Sequence, residues 1–416
     1  MPSFKLLIAQ IGVILIVARL VGWLFYKFHQ PRVVGEMVAG ILLGPSLLGW
    51  LAPDISTVLF PPNSLGALSA LSQIGLLLFM FLIGLELDLK HLREQGRAAV
   101  FTSLASIFVP FILGCWLAFY LYARLAEPSV NFTGFALFIG TAISITAFPV
   151  LARILTERNL MRTKVGALAI TCAAVNDAAA WCILAGVIVL VRAATLPLPL
   201  WVILLGLGVY VLAMLTGVKR ALQKLTTLYE QRGGLTHDML AVIFLVVLIS
   251  GWVTETLGVH ALFGAFLVGA VMPRHTELTH ALWLRIESII VVLLLPLYFA
   301  LTGLRSSFFL ISGAANWMIC VVVIACAIAG KLGGSSLAAR MTGLSWREAT
   351  AVGVLMNTRG MVELVILNIG LDLGIISPVL FTIMVLMALV TTFMASPLLS
   401  WIYVQESVPV ESPGTS

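Results

Sequence analysis

The sequence predicts an all-α polytopic membrane protein of about 13 transmembrane helices, an inverted repeat with two crossed discontinuous helices. Three observations predict it. The 416 residues are 61% hydrophobic and 10% charged, where a soluble domain carries about 25% charged residues. Apolar runs of roughly 18 residues or more recur along the chain, each long enough to cross hydrocarbon as a helix. Short matches at a near-constant offset carry one span onto another seven spans later. A transmembrane barrel would show short segments of alternating hydrophobicity instead.

In chain order the expected spans are 4–26, 32–50, 65–86, 98–123, 132–153, 164–191, 199–218, 238–256, 259–272, 281–303, 312–338, 346–369 and 377–403. The joints are marked by Pro, Gly and charge clusters. Pro61, Pro62 and Asn63 precede the third span, KHLREQGR (90–97) separates the third from the fourth, and TERNLMRTK (156–164) separates the fifth from the sixth. With this count, Lys27, Arg32, Lys90, Arg93, Arg97, Arg153, Arg158, Arg162, Arg274 and Arg340, among others, fall on one side, while Lys5, Arg124, Arg192 and Arg305 fall on the other. Basic residues collect on the cytoplasmic side, which puts the N-terminus outside and the C-terminus in the cytoplasm. The basic clusters form no single basic face, so the expected environment is a lipid bilayer and no nucleic acid is expected. The five cysteines all lie in apolar runs without metal-type spacing and read as small buried hydrophobes.

The repeat is carried by short matches. VGEMVAGILLGP (34–45) resembles FGAFLVGAVMP (263–273), and FMFLIGLELDL (79–89) resembles LYFALTGLRSS (297–307). Seven is odd, so the two halves face opposite ways through the bilayer, the pattern of secondary transporters with a site near the midplane. The same shift pairs GTAISITAFPVL (140–151) of the fifth span with GVLMNTRGMVEL (353–364) of the twelfth. Polar residues interrupt both: Thr141, Ser144 and Thr146 in one, Asn357, Thr358, Arg359 and Glu363 in the other. A break exposes backbone carbonyls that can replace an ion's hydration shell, and half-helix ends whose partial charges need neutralising. Hydroxyls bonding back to their own helix would explain any one of these residues, but explain the matched pair poorly.

Asp177 sits near the middle of the sixth span, in AAVNDAAAW (173–181). A mid-membrane carboxylate costs about 2.5–3.5 kcal/mol on insertion scales and faces a bundle interior or a water-filled cavity. There it can host a proton or a small alkali cation, never both together, and that competition is the minimum machinery for exchange. Asp177 is therefore the candidate metal ligand, the metal being a transported alkali cation. Asn176 offers an amide oxygen as a neutral ligand, or a hydrogen bond that fixes a neighbour. Lys331, in AIAGKLGGSS (327–336), is expected to neutralise helix ends, to pair with Asp177 until a cation arrives, or to serve structure alone. Arg359 and Glu363, four apart, are expected to pair across one helical turn at the break. Arg32 and Glu36 have the same spacing and read as a structural pair. Arg19 has no evident role, and Glu86, Asp88 and Glu287 read as solvated span ends.

Taken together, VVGEMVAGILLGPSLLG, FLIGLELDL, ITAFPVLARIL, AAVNDAAAW, HALFGAFLVGAVMP and MNTRGMVELVILNIGL resemble the monovalent cation/proton antiporters, in the branch with bacterial sodium/proton and potassium/proton exchangers and plant cation/proton exchangers. The resemblance covers about residues 5 to 403. It implies a homodimer whose subunit, residues 1–403, interleaves a dimerisation domain and a six-helix core that slides past it like an elevator, followed by a short cytoplasmic tail, 404–416. It implies exchange of Na⁺ or K⁺ for H⁺ in a bacterial inner membrane. It places the cation-binding aspartate on Asp177, its preceding residue on Asn176, the core lysine on Lys331, and the hydroxyls of the first broken helix among Thr141, Ser144 and Thr146. Electrogenic relatives often carry two adjacent aspartates where this chain has Asn176–Asp177. One carboxylate suggests one proton per cation, while the lysine accompanies the two-aspartate pattern, so stoichiometry stays open. Two other readings keep the fold: a sodium-coupled organic-solute symporter and a passive cation channel. No nucleophile–base pair or metal-ligand cluster is evident, so neither enzymatic chemistry nor a cofactor is expected.

Overall fold

A computed structural model describes residues 4–28, 30–86, 96–128, 130–158, 160, 161, 163–192, 199–273 and 276–403. The tail expected over 404–416 lies outside the described residues, as do Asp88, Lys90, Arg93, Arg162 and Arg274. Among the described residues, eleven helices are long and apolar enough to cross a membrane, and the bent pair Trp346–Met356 plus Met361–Asp372 makes a twelfth. The ninth expected span, 259–272, is a shorter apolar helix, Ala261–Val271.

The helices used below are α1 (Phe4–Lys27), α2 (Arg32–Leu43), α3 (Leu65–Glu86), α4 (Gly96–Leu125), α5 (Phe132–Ser144), α6 (Phe148–Glu157), α7 (Lys164–Arg192), α8 (Leu200–Ala213), α9 (Lys219–Arg232), α10 (His237–Thr256), α11 (Ala261–Val271), α12 (Thr276–Ile289), α13 (Leu295–Arg305), α14 (Gly313–Ile328), α15 (Gly334–Met341), α16 (Trp346–Met356), α17 (Met361–Asp372) and α18 (Pro378–Ile402). Starts follow side-chain chemistry. Asn131 accepts from the Gly134 N–H to open α5, and Ser345 with Glu348 forms a capping box that opens α16. Three rods continue through π turns that the sequence pattern does not reveal. Met214–Val218 joins α8 to α9, Ile290–Leu294 joins α12 to α13, and Ala329–Gly333 joins α14 to α15. The seventh rod therefore runs past its expected end at 218 to Arg232, because α9 is polar and has no hydrophobic signature beyond the buried Leu222 and Leu225.

Packing sorts the helices into two bundles. In the first, α2 packs on α1 and α13, and α3 packs on α11 and α13. In the second, α4 packs on α5, α7 and α15, α6 packs on α7, and α16 and α17 pack on α18. The shift that carries α2 onto α11 and α3 onto α13 exchanges the pairs α2–α13 and α3–α11, as an inverted repeat requires. Glycines permit both crossings. A Cβ on Gly40 would meet the Phe299 carbonyl, and one on its repeat mate Gly269 would meet the Phe81 carbonyl. Without a hydrophobic drive between helices in lipid, such close backbone approach is what holds a crossing.

Gly40→Val and Gly269→Val should each destabilise the protein by about 1–3 kcal/mol through overpacking. Gly66→Ala, in α3 with open space around the new methyl, should be neutral or stabilising. Thermal unfolding of the three variants in detergent measures this, and equal melting temperatures would contradict the assigned role of the two crossings.

Candidate functional site

Both breaks expected from the sequence are present, and they meet. The first helix of the fifth span ends at Ser144, the chain is extended at Ile145, and α6 begins at Phe148. Pro149 sits in the first turn of α6, where its missing N–H costs nothing. In the twelfth span, α16 ends at Met356 and α17 begins at Met361, with a bend of 43°. The Ala147 N–H donates to the Thr358 carbonyl at 3.0 Å, and Thr146 Oγ1 donates to the Met356 carbonyl at 2.9 Å. The two unwound segments thus satisfy some of each other's freed backbone.

The C-terminal end of α5 points its free carbonyls at Arg359. Arg359 Nη1 donates to the Ala142 carbonyl at 3.0 Å, and Nη2 to the Ile143 carbonyl at 2.6 Å. The same guanidinium pairs with Glu363 Oε1 at 3.0 Å, and both side chains are fully buried. The expected pair is formed, and its arginine also cancels the partial negative charge of a helix end in the other half of the repeat. Thr392 holds the Arg359 backbone, accepting from its N–H at 2.9 Å and donating to its carbonyl at 2.7 Å.

Lys331 lies inside the π turn Ala329–Gly333 and is fully buried. Its Nζ donates to the Ser106 carbonyl at 2.9 Å and to Thr146 Oγ1 at 2.6 Å. The amide orientation of Asn176 that satisfies its surroundings presents Oδ1 to Lys331 Nζ at 3.0 Å, and Nδ2 to the Cys172 carbonyl at 3.3 Å and Ser106 Oγ at 3.2 Å. Three neutral oxygens therefore match the three donors of an ammonium. No ion pair joins Lys331 to Asp177 among the described residues, so the expected pairing is not made in this conformation.

Asp177 is 2% exposed, and neither carboxylate oxygen has a hydrogen-bond partner among the described residues. The backbone N–H of Phe148, first residue of α6, faces it without completing a bond, and Lys331 is within electrostatic reach. Asp177 thus sits at the positive end of a half-helix, which favours negative charge there. Thr141 and Ser144 bond back into α5, to the Leu137 carbonyl at 2.7 Å and the Thr141 carbonyl at 2.8 Å. Of the three hydroxyl candidates, only Thr146 joins the Lys331 cluster.

A cavity of about 210 Å³ lies between the bundles, lined by Glu36, Glu86, Glu287 and Arg153, and reaching Pro149 and Met361 beside the crossing. Asp177 is not in its lining. Several groups here were not assigned from the sequence. Ser106 belongs to the Lys331 cluster through contacts spanning 225 residues, which no local pattern encodes. Glu86 and Glu287, read as solvated span ends, line the cavity. Glu36 pairs with Arg19 at 3.6 Å rather than with Arg32, whose guanidinium lies over the Tyr26 ring at 4.7 Å. Arg19, unexplained from the sequence, also donates to the Val292 carbonyl in a π turn at 3.2 Å.

Crossed half-helices around a buried carboxylate, in an inverted repeat, define a secondary ion transporter. The chain belongs to the sodium/hydrogen exchanger family, whose transmembrane model matches residues 13–405. Within that family it falls among the monovalent cation/proton antiporters. It is 45% identical over 402 residues to the Na(+)/H(+) antiporter NhaS4 of Synechocystis sp., covering 96% of this chain and 98% of that protein. It is 42% identical to the Cation/H(+) antiporter 17 of Arabidopsis thaliana and 36% identical to the K(+)/H(+) antiporter 1 of Saccharomyces cerevisiae, in each case over 96% of this chain. The chain spans about half the length of those two relatives, 49% and 46%. Its fold is similar to that of the sodium proton antiporter MjNhaP1 of Methanocaldococcus jannaschii, with a TM-score of 0.56 at 14% identity, covering 95% of this chain and 96% of that one.

Arg359→Ala leaves Glu363 buried and unpaired and frees two carbonyls, so it should cost about 3–5 kcal/mol. Asp177→Asn removes no hydrogen bond and should leave the melting temperature unchanged or raised. Differential scanning fluorimetry of both variants checks the contrast. A large loss of stability in Asp177→Asn would show that Asp177 is a structural group.

Proposed function

We propose that this chain exchanges a monovalent cation, Na⁺ or K⁺, for H⁺, and that Asp177 is the site both occupy in turn. The observation that carries this reading is the carboxylate itself: buried, without a hydrogen-bond partner among the described residues, and beside a lysine already matched by three neutral oxygens. An ionised carboxylate in such surroundings is costly unless a counter-charge reaches it. A bound proton or a dehydrated alkali cation supplies that relief, and one excludes the other. Carbonyls freed at the two breaks complete the cation's shell, and Thr141 and Ser144 keep lone pairs free for it, since each uses its own proton to donate. Asn176 and Thr146 hold Lys331, which sets the local charge. Arg359 and Glu363 neutralise the helix ends.

In this reading the second bundle moves as a body against the first by an elevator motion, exposing Asp177 to one aqueous side and then the other. The inverted repeat supports it, as do cavities at both ends of the seam between the bundles. The protein works as a homodimer of thirteen-span subunits in a bacterial inner membrane, with its N-terminus outside and its C-terminus in the cytoplasm. Relatives named for sodium and for potassium both cover nearly all of this chain, and the proposal carries both ions.

The test is cation-driven proton flux in proteoliposomes reporting with a pH-sensitive dye. Adding Na⁺ or K⁺ should discharge the pH gradient with wild-type protein. Asp177→Asn, folded as judged by gel filtration, should lower the rate at least about 100-fold, to background, as expected when the sole exchangeable group is lost. Flux equal to wild type in that variant would refute the assignment.

A further inference from the structure

The two cavities at the seam are repeat mates. A shift of 219 residues, the register that sets Gly84 on Gly303 and Leu85 on Leu304, carries Phe79, Leu82 and Glu86 of α3, which line one, onto Tyr298, Leu301 and Arg305 of α13, which line the other. The remaining walls exchange in the same way, since α6 closes the first and its mate α17 closes the second.

The mates differ in size and in what spans them. The α13–α17 cavity holds about 60 Å³. Arg305 of the first bundle reaches across its mouth to α17 of the second, with Nη1 at 2.7 Å from Asp372 Oδ1 and 3.2 Å from Asn368 Oδ1. Asn368 is held for that contact, its Nδ2 donating to Tyr298 Oη at 3.0 Å and Thr302 Oγ1 at 2.9 Å. The α3–α6 cavity holds about 210 Å³. Glu86 lines it from the first bundle and Arg153 from the second, and no ion pair joins them among the described residues. Arg153 instead bonds Glu157 of its own helix at 3.0 Å. The charges are exchanged between mates: cation on the first bundle and anion on the second at one end, anion and cation at the other.

We infer that Arg305–Asp372, supported by Asn368, and Glu86–Arg153 are alternating latches across the seam. In this conformation the first is closed and the second open. The opposite conformation, in which the halves of the repeat exchange roles, opens the first and closes the second. Arg305, Asp372, Asn368, Glu86 and Arg153 are then positioning residues for transport, and the inference rests on the alternating access proposed above. The closed latch is half in water, its partners 35% and 55% exposed. Such a pair shifts an equilibrium by about two- to five-fold, enough to bias the two conformations without trapping either.

Ser72 lines the small cavity at 1% exposure, its hydroxyl without a partner among the described residues, so a cysteine there reports opening. In a background lacking the five native cysteines, Ser72→Cys would be reacted with a membrane-impermeant thiol reagent in proteoliposomes. Asp372→Asn and Arg305→Gln should each raise the labelling rate about two- to five-fold. Combining Arg305→Asp with Asp372→Arg should restore it, and Glu86→Gln should lower it by a similar factor. Asp372→Asn, which keeps the side chain's shape, carries the expectation if Arg305→Gln does not fold. Unchanged labelling in Asp372→Asn, or shifts of the same sign in Asp372→Asn and Glu86→Gln, would overturn the latches. That outcome with Asp177→Asn still inactive in flux leaves the proposed site standing. Opposite shifts together with normal flux in Asp177→Asn would sink the site and keep the latches.

Discussion

Three oxygens without formal charge, from Ser106, Thr146 and Asn176, close around the amine of Lys331, and the carboxylate nearby is left alone. That allocation governs the middle of the molecule. A direct Lys331–Asp177 bond would have satisfied both groups and left nothing for an ion to do. Here the amine is held by helices α4 and α7 and by the break after α5, so the exchange proposed at Asp177 would break none of the bonds that hold Lys331. Electrostatic coupling between the two groups persists, because Lys331 remains within reach. A site of this kind responds to charge without unfolding its own scaffold.

The crossing of the half-helices has to be paid for in charge, and Arg359 carries most of that burden. Its guanidinium joins the end of α5 to Glu363 of α17, so one fixed fork ties the two halves of the repeat together at their least regular point. Arginine suits this place because its planar donors can serve two carbonyls and a carboxylate together. Lysine offers a point charge and could not hold the same three partners in one plane. The Ala147–Thr358 and Thr146–Met356 bonds then fix how the breaks face each other.

Much of this was legible in the residue order. The fourth rod, expected over 98–123, is Gly96–Leu125, and the eighth, expected over 238–256, is His237–Thr256. Lipid-crossing helices announce themselves by length and composition alone. Both breaks were legible because polar residues inside hydrocarbon need a reason, and Asp177, Lys331, Arg359 and Glu363 stood out for the same cause. Ser106 did not, because a serine in an apolar run most often bonds to its own helix, and only the folded chain brings it to Asn176. The Arg19–Glu36 pair was hidden behind a nearer candidate at the favoured spacing, Arg32. That Glu86 and Glu287 also line a cavity was not legible, because a span end on a surface and a span end at a cavity have the same sequence signature; Glu86 is exposed there, as a solvated span end should be. Ala261–Val271 was expected as a full span, but its apolar run is too short to mark one by length.

The three π turns have a consequence for how such chains diverge. Each holds one residue more than a regular turn, so the helix faces before and after it are out of phase by about 100°. Losing or gaining one residue in the middle of a membrane helix would ordinarily rotate everything beyond it off its packing surface. At Ala329–Gly333 the backbone already accommodates such an insertion, and the slack is taken up in one turn. A single-residue gap placed there when chains of this family are aligned is physically meaningful, and it falls on the turn that aims Lys331 inward.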